Sequence, residues 1–233
     1  MMVSAGGRPR RQSSFEMPQR AGHARSPMAA PTLLQTALGE AWQQLPPAIQ
    51  RLHSVREVES FRGRACIRRG HGLLARLAGW FFQFPTAGDD VELTITMTRT
   101  TAGEIWERNF AGRSFRSLLT SSLRPSHYRE RFGPFRFEQE LPIAGGALHF
   151  VVRRGWFLGI PLPSKLLPRS CSKEFEVDGT FHFDVGIYAP LTAALIVRYR
   201  GALAPGSVCA PSTVDASALH GIEPTPMTGS RDA

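Results

Sequence analysis

The sequence predicts a mainly β (α+β) fold: an antiparallel sheet of about ten strands, curled into a closed or nearly closed barrel, preceded by two or three helices. Three observations carry that expectation. From Val91 onward apolar and polar residues alternate with period two, tight-turn dipeptides separate the alternating runs, and helical spacing is confined to the first third of the chain. Helices grouped ahead of a meander argue against a parallel βαβ sheet. Closing the sheet into a barrel removes its exposed edges.

The helices come first. Leu34, Leu38, Trp42 and Leu45 recur at helical spacing between Pro31 and the Pro46-Pro47 stop. A short second helix runs from Pro47 to His53, since proline is tolerated in a first turn. Arg64–Arg69 reads as a strand with Ala65 and Ile67 on one face. The segment His71–Pro85 has one charge, Arg76, and apolar residues around nearly its whole circumference. Such a helix must be covered on most sides or must itself cover something. It is too short to span a bilayer and lacks the charged face of an interfacial helix, so a plug or lid for the barrel is the expectation.

The strands follow. Val91, Leu93, Ile95 and Met97 alternate with polar residues, and Trp106 shares a face with Phe110 before the Ala111-Gly112 turn. Arg113–Thr120, Tyr128–Phe132 and Phe135–Leu141 come next, the last two separated by Gly133-Pro134. Leu148, Phe150 and Val152 follow Gly145-Gly146. Asp178-Gly179 lies between Phe175/Val177 and Phe181/Phe183/Val185/Ile187, the strongest hairpin signal in the chain, because a type I′ turn needs positive φ at both central residues. Ala193–Arg200 is the last strand expected. The prolines of Trp156–Pro163 exclude a central strand, leaving a loop over the core or at the barrel mouth.

Composition bounds the function. The 233 residues carry a net charge of +9, and only Lys165 and Lys173 among the 28 bases are lysines. The arginines are scattered, with no dense basic stretch or recognition helix, so nucleic acid is not the expected partner. Residues 1–27 and 204–233 are Gly/Ser/Pro-rich and aperiodic, which predicts disordered tails around one domain at 28–203. Arg10-Arg11 is not followed by an apolar export region, so the cytoplasm is the expected compartment, and no run is long enough for a transmembrane segment. Cys66, Cys171 and Cys209 are too scattered for a disulfide framework or zinc site, and Cys66 and Cys171 read as small buried residues.

Catalytic signatures are missing from the sequence: there is no phosphate loop, no Gly-x-Ser-x-Gly elbow and no metal or cofactor motif. His182 and Asp184 share a strand face opposite Phe181 and Phe183, which reads as a solvated face. Strand parity gives a sharper clue. Arg108 lies between Trp106 and Phe110, Glu130 between Tyr128 and Phe132, and Tyr199 follows Leu195 and Val197, so all three point inward if their neighbours do. An inward arginine is costly unless paired. Arg108 and Glu130 therefore form a buried ion pair, or Arg108 with Tyr199 meets the anionic head of an amphiphile held in the barrel. Trp80 and Phe82, with Phe81 and Phe84, would line such a cavity or form its lid.

Six strings occur in order: Leu38-Gly-Glu-Ala-Trp-Gln-Gln-Leu-Pro46, Arg62-Gly-Arg…Arg69-Gly, Trp106-Glu-Arg-Asn-Phe-Ala-Gly112, Glu130-Arg-Phe-Gly-Pro134, Gly159-Ile-Pro-Leu-Pro163 and Val197-Arg-Tyr-Arg-Gly201. In this they resemble the bacterial family called domain of unknown function 4166, over about residues 30–203. Some members of that family lie joined to or beside nucleotide-dependent oxidoreductase domains, which implies an oxidoreductase partner; this chain has no Gly-rich dinucleotide fingerprint. The resemblance implies no catalytic residues. The expected function is non-enzymatic binding of a small apolar or amphipathic ligand inside the barrel. The alternatives are an accessory or oligomerisation domain for an oxidoreductase, with a solid core, and an enzyme whose site the sequence does not display.

Overall fold

The computed structural model describes residues 30–205. The expected tails lie outside these residues, except for Ala204 and Pro205, which belong to the last strand.

Helix α1 (Leu33–Leu38) begins at a capping box in which Thr32 and Gln35 satisfy each other's backbone N–H groups. The helical spacing continues, but Gly39 turns the chain at φ 56 and the rest of the run, Gly39–Gln44, is a 3-10 helix. Helix α2 (Pro47–Leu52) opens with proline. Their apolar sides, Leu34, Leu38, Trp42, Ile49 and Leu52, are buried together with Leu45. Two barrel carboxylates hold these helices by their N-terminal turns. Glu104 accepts the Leu33 N–H at 3.1 Å and Glu176 accepts the Ala48 N–H at 2.7 Å. A negative group at a helix start meets free N–H donors and the positive end of the helix dipole.

The strands are β1 (Val58–Arg69), β2 (Gly88–Thr100), β3 (Gly103–Phe110), β4 (Arg113–Ser121), β5 (His127–Phe132) and β6 (Phe135–Glu140). They continue with β7 (Ile143–Ala144), β8 (Ala147–Phe157), β9 (Ile160–Pro161), β10 (Arg169–Val177), β11 (Thr180–Tyr188) and β12 (Leu195–Pro205). Ten of them form one antiparallel cycle, β10-β11-β12-β1-β2-β3-β4-β5-β6-β8, which the β8–β10 pairing closes. Strands β7 and β9 are short additions on β8. The barrel is closed, as the alternation and turns predict. Its turns are the expected ones, with Asp178 at φ 49 and Gly179 at φ 74 between β10 and β11.

Two joins in the cycle are short, each a ladder of four residue pairs: β4 with β5, from Leu118↔Arg131 to Ser121↔Tyr128, and β8 with β10. Strand β8 meets β10 over the pairs Phe150↔Ser172 to Ala147↔Phe175. Beyond them β8 turns into the β8–β9 hairpin, and the Leu162 N–H bonds the Gly155 carbonyl. The Trp156–Pro163 segment is therefore partly paired, not a free loop.

The N-terminal helices occupy one end of the barrel, where α1 packs on β4 and β5 and α2 on β10 and β11. Helix α3 (Leu73–Phe81) crosses the other end, from β12 to the β5–β6 side, where Phe81 and Phe82 touch Phe135. Arg69, at the end of β1, fastens it. Its guanidinium donates to the carbonyls of Ala75, Phe84 and Pro85, and it lies where a side chain on Gly79 would have to go.

Three expectations need correction. Helix α3 is a lid as predicted, yet among the described residues it is covered on one side only: Ala75 and Gly79 are buried, while Leu73, Leu77 and Trp80 are exposed. Cys66 and Cys171 are not buried; Cys66 is half-buried and Cys171 exposed, because each alternates with inward residues on its strand. Strand β10 reverses the usual polarity. Ser172 and Glu174 are buried, Val177 is exposed, and Phe175 packs on the His182 ring at 5.6 Å. The inward Glu174 is tolerable because His53 receives it.

Candidate functional site: the barrel interior

The core does not fill the barrel. A cavity of about 200 Å³ remains, walled by apolar side chains such as Leu93, Ile95, Leu119, Phe183 and Ile187. Phe82 and Ala78 of α3 close it on the lid side. Two polar groupings reach its wall.

The first is built by parity. Residues Glu104, Trp106, Arg108 and Phe110 of β3 point inward, and so do Tyr128 and Glu130 of β5. Register then sets Arg108 and Glu130 on either side of β4, with Ser117 between them. Arg108 Nη2 lies 3.4 Å from Glu130 Oε1, and Nη1 donates to Ser117 Oγ at 3.0 Å. Glu130 also accepts from Ser117 Oγ at 2.7 Å, Gln139 Nε2 at 2.7 Å and the Tyr128 hydroxyl at 3.3 Å. The guanidinium lies 5.1 Å from the centre of the Trp106 ring and 5.5 Å from that of Phe115, so its faces meet aromatic surface. Side-chain exposure is 13% for Arg108 and 7% for Glu130. The charge is therefore both buried and compensated.

The second grouping joins the N-terminal helices to β10. His53, just past α2, places Nε2 2.6 Å from Glu174 Oε2. Its ring stacks on Trp106 at 5.2 Å, and Nδ1 has no hydrogen-bond partner among the described residues. Ser170 and Ser172 bond each other beside it on the cavity wall.

Burial shifts two phenols. It lifts Tyr199 to about 12, with Arg108 pulling back and Glu130 adding a smaller push upward. It also pushes Tyr128 well above the ordinary tyrosine value, helped by the Glu130 charge. Both phenols are neutral donors at physiological pH.

The six residues singled out by sequence are thus placed as follows. Arg108, Glu130, Tyr199, Trp106 and Phe82 all line the cavity. Trp80 does not; it stands on the outer side of α3, 72% exposed. The anionic-head role proposed for Arg108 meets a competitor already in place, Glu130. Sequence reading missed His53, Glu174, Ser117 and Gln139. The alternation of Ser170, Ser172 and Glu174 on one face of β10 is the signal in the sequence for Glu174. The Asp184 side chain, expected on the solvated face, is held by Arg198 at 2.8 Å. Among the described residues no three His, Cys, Asp or Glu side chains converge as a metal site, and no helix is long and apolar enough to cross a membrane.

Fold and interior together define the class: a closed β-barrel domain with floor helices, a helical lid and a mainly apolar internal chamber. The chain belongs to the family described as domain of unknown function DUF4166, whose model matches residues 45–203. Comparison with curated proteins and with solved structures yields no match.

Proposed function

We propose that the barrel binds a small, mainly apolar molecule with one uncharged polar end, without transforming it. The observation that carries this reading is the chamber itself, apolar but for two polar groupings whose members are bonded to each other within the protein. An apolar cavity of about 150 Å³ stays dry and admits benzene, so one of about 200 Å³ suits a somewhat larger body. Arg108, Glu130, Tyr199, Trp106 and Phe82 would surround it, with His53 and Glu174 opposite. A carboxylate head would have to displace Glu130 from Arg108, whereas a hydroxyl or carbonyl can share these donors and acceptors as they stand. An accessory or oligomerisation role beside an oxidoreductase calls for a solid core, so the cavity favours the binding reading.

The test pairs 1-naphthol with 1-naphthoate, the same apolar body with a neutral or an anionic end. Calorimetric titration should show saturable binding of the naphthol, weaker binding of the naphthoate, and loss of both in Val185→Phe, which fills the chamber from the β11 wall. Stronger binding of the naphthoate would return the anionic-head role to Arg108. Absence of saturable binding to either, in a folded wild type, sinks the reading.

A further inference from the structure

The outer side of α3 is not built like an ordinary surface. Leu73, Leu77 and Trp80 follow one another at helical spacing, exposed by 71%, 54% and 72%, with Leu74 and Phe81 half-exposed beside them. The stripe does not stop at the helix. Phe81 touches Phe135 at 5.9 Å, and Phe135 touches Phe157 at 4.9 Å, which leads into the β8–β9 hairpin and its exposed Leu158 and Ile160. A connected apolar area of this kind marks a surface that meets something.

The charges around it say what. Arg76 on α3, Arg131 at the end of β5, Arg169 at the start of β10 and Lys165 before it stand at this end of the barrel. None of the four is in an ion pair among the described residues. The acids at the same end are engaged: Asp89 by Arg68, and Asp90 and Glu92 by Arg64. The rim is therefore apolar at its centre and cationic at its margin. A second copy of this chain, docking the same patch to itself, would bring unpaired arginines against arginines.

We infer that the α3 end of the barrel docks on an anionic lipid surface. The helix by itself lacks the charged face of an interfacial helix; the rim loops supply it. A helix of nine residues cannot cross the bilayer, but one lying flat can bury its apolar side at the headgroup boundary while arginines meet lipid phosphates. Trp80, amphipathic and among the most exposed residues of the stripe, suits that boundary. This docking stands on the outer surface and does not depend on what the chamber holds. Ala78 of the same helix and Phe82 just past it wall the chamber, so docking would set the barrel mouth against the leaflet.

The test is co-sedimentation of the full chain with vesicles of phosphatidylcholine alone and of phosphatidylcholine with phosphatidylglycerol. The wild type should pellet with the mixed vesicles and much less with the neutral ones. Leu77→Ser with Trp80→Ser, both on exposed positions, should reduce mixed-vesicle binding by about tenfold or more. Arg131→Ser with Arg169→Ser should abolish the preference for the anionic lipid. Circular dichroism checks that each variant folds, and light scattering reports the oligomeric state. Equal pelleting of wild type and the Leu77/Trp80 variant, failure to pellet with either vesicle, or self-association through this patch in place of vesicle binding each overturns the inference.

Discussion

Replacing Arg108 by methionine tests the interior most directly. The substitution removes a buried guanidinium and leaves Glu130 in the core without its partner, with Ser117, Gln139 and Tyr128 as its remaining donors. Orphaning one member of a buried pair costs about 3–5 kcal/mol; three surviving donors place this change at the lower end, about 3 kcal/mol. Glu130→Gln leaves the less compensated partner: Arg108 keeps Ser117 and two aromatic faces but no counter-charge, for about 4 kcal/mol. The double variant carries no buried charge at this point and should lose only about 1–2 kcal/mol for packing and for a misplaced amide. The two single costs then exceed the double by several kcal/mol. Urea unfolding followed by tryptophan fluorescence reads all three, since Trp42 and Trp106 are both buried. Additivity of the single costs within about 0.5 kcal/mol would show that the pair is not coupled and would refute the argument.

Three further outcomes are expected. Gly79→Ala puts a methyl on the Arg69 guanidinium and breaks its bonds to the Ala75, Phe84 and Pro85 carbonyls, so thermal unfolding should reveal a loss of about 1–3 kcal/mol, whereas Gly72→Ala, with open space around it, should be nearly silent. Gly179→Val meets no neighbour but must hold a β-branched residue at φ 74, and denaturant titration should show a cost of about 1–3 kcal/mol. Tyr199 keeps its proton in the folded state to about 12, above its unfolded value of 10.0, so its stabilisation is complete below the lower figure and is lost as pH rises toward the higher one. Tyr199→Phe should remove about 2–3 kcal/mol of that alkaline loss, read as a flatter stability profile above pH ~10.

Alternation and turn chemistry made the barrel legible because both are local. Val91 to Met97 and the Asp178-Gly179 turn carry their structure within a few residues. The same alternation led to Arg108, Glu130 and Tyr199, because each sits between inward aromatic or aliphatic residues. It failed on β10, where the inward residues are Ser172 and Glu174 and the rule that the apolar face turns in does not hold. What reverses it is His53, 121 positions away in sequence, which receives the Glu174 carboxylate. No periodicity connects such a pair. The outer stripe of α3 was visible as an apolar helix, but its exposure depends on Gly79 and Arg69, which fix the side that faces the barrel.

The four residue pairs between β8 and β10 contrast with the nine between β10 and β11. The β4–β5 ladder is equally short, so the cycle is a hoop with two clasps. Parting either clasp breaks few hydrogen bonds and leaves the other ladders intact, so amide exchange in the native state should divide the domain into a slow body and two fast strips, one along Ala147–Phe150 and Ser172–Phe175, the other along Leu118–Ser121 and Tyr128–Arg131. Val152 and Ser170, flanking the β8–β10 strip, both wall the chamber. Local opening there would admit a small solute through the side of the barrel while the lid stays latched, which gives the domain a second route of entry set by strand pairing rather than by helix movement.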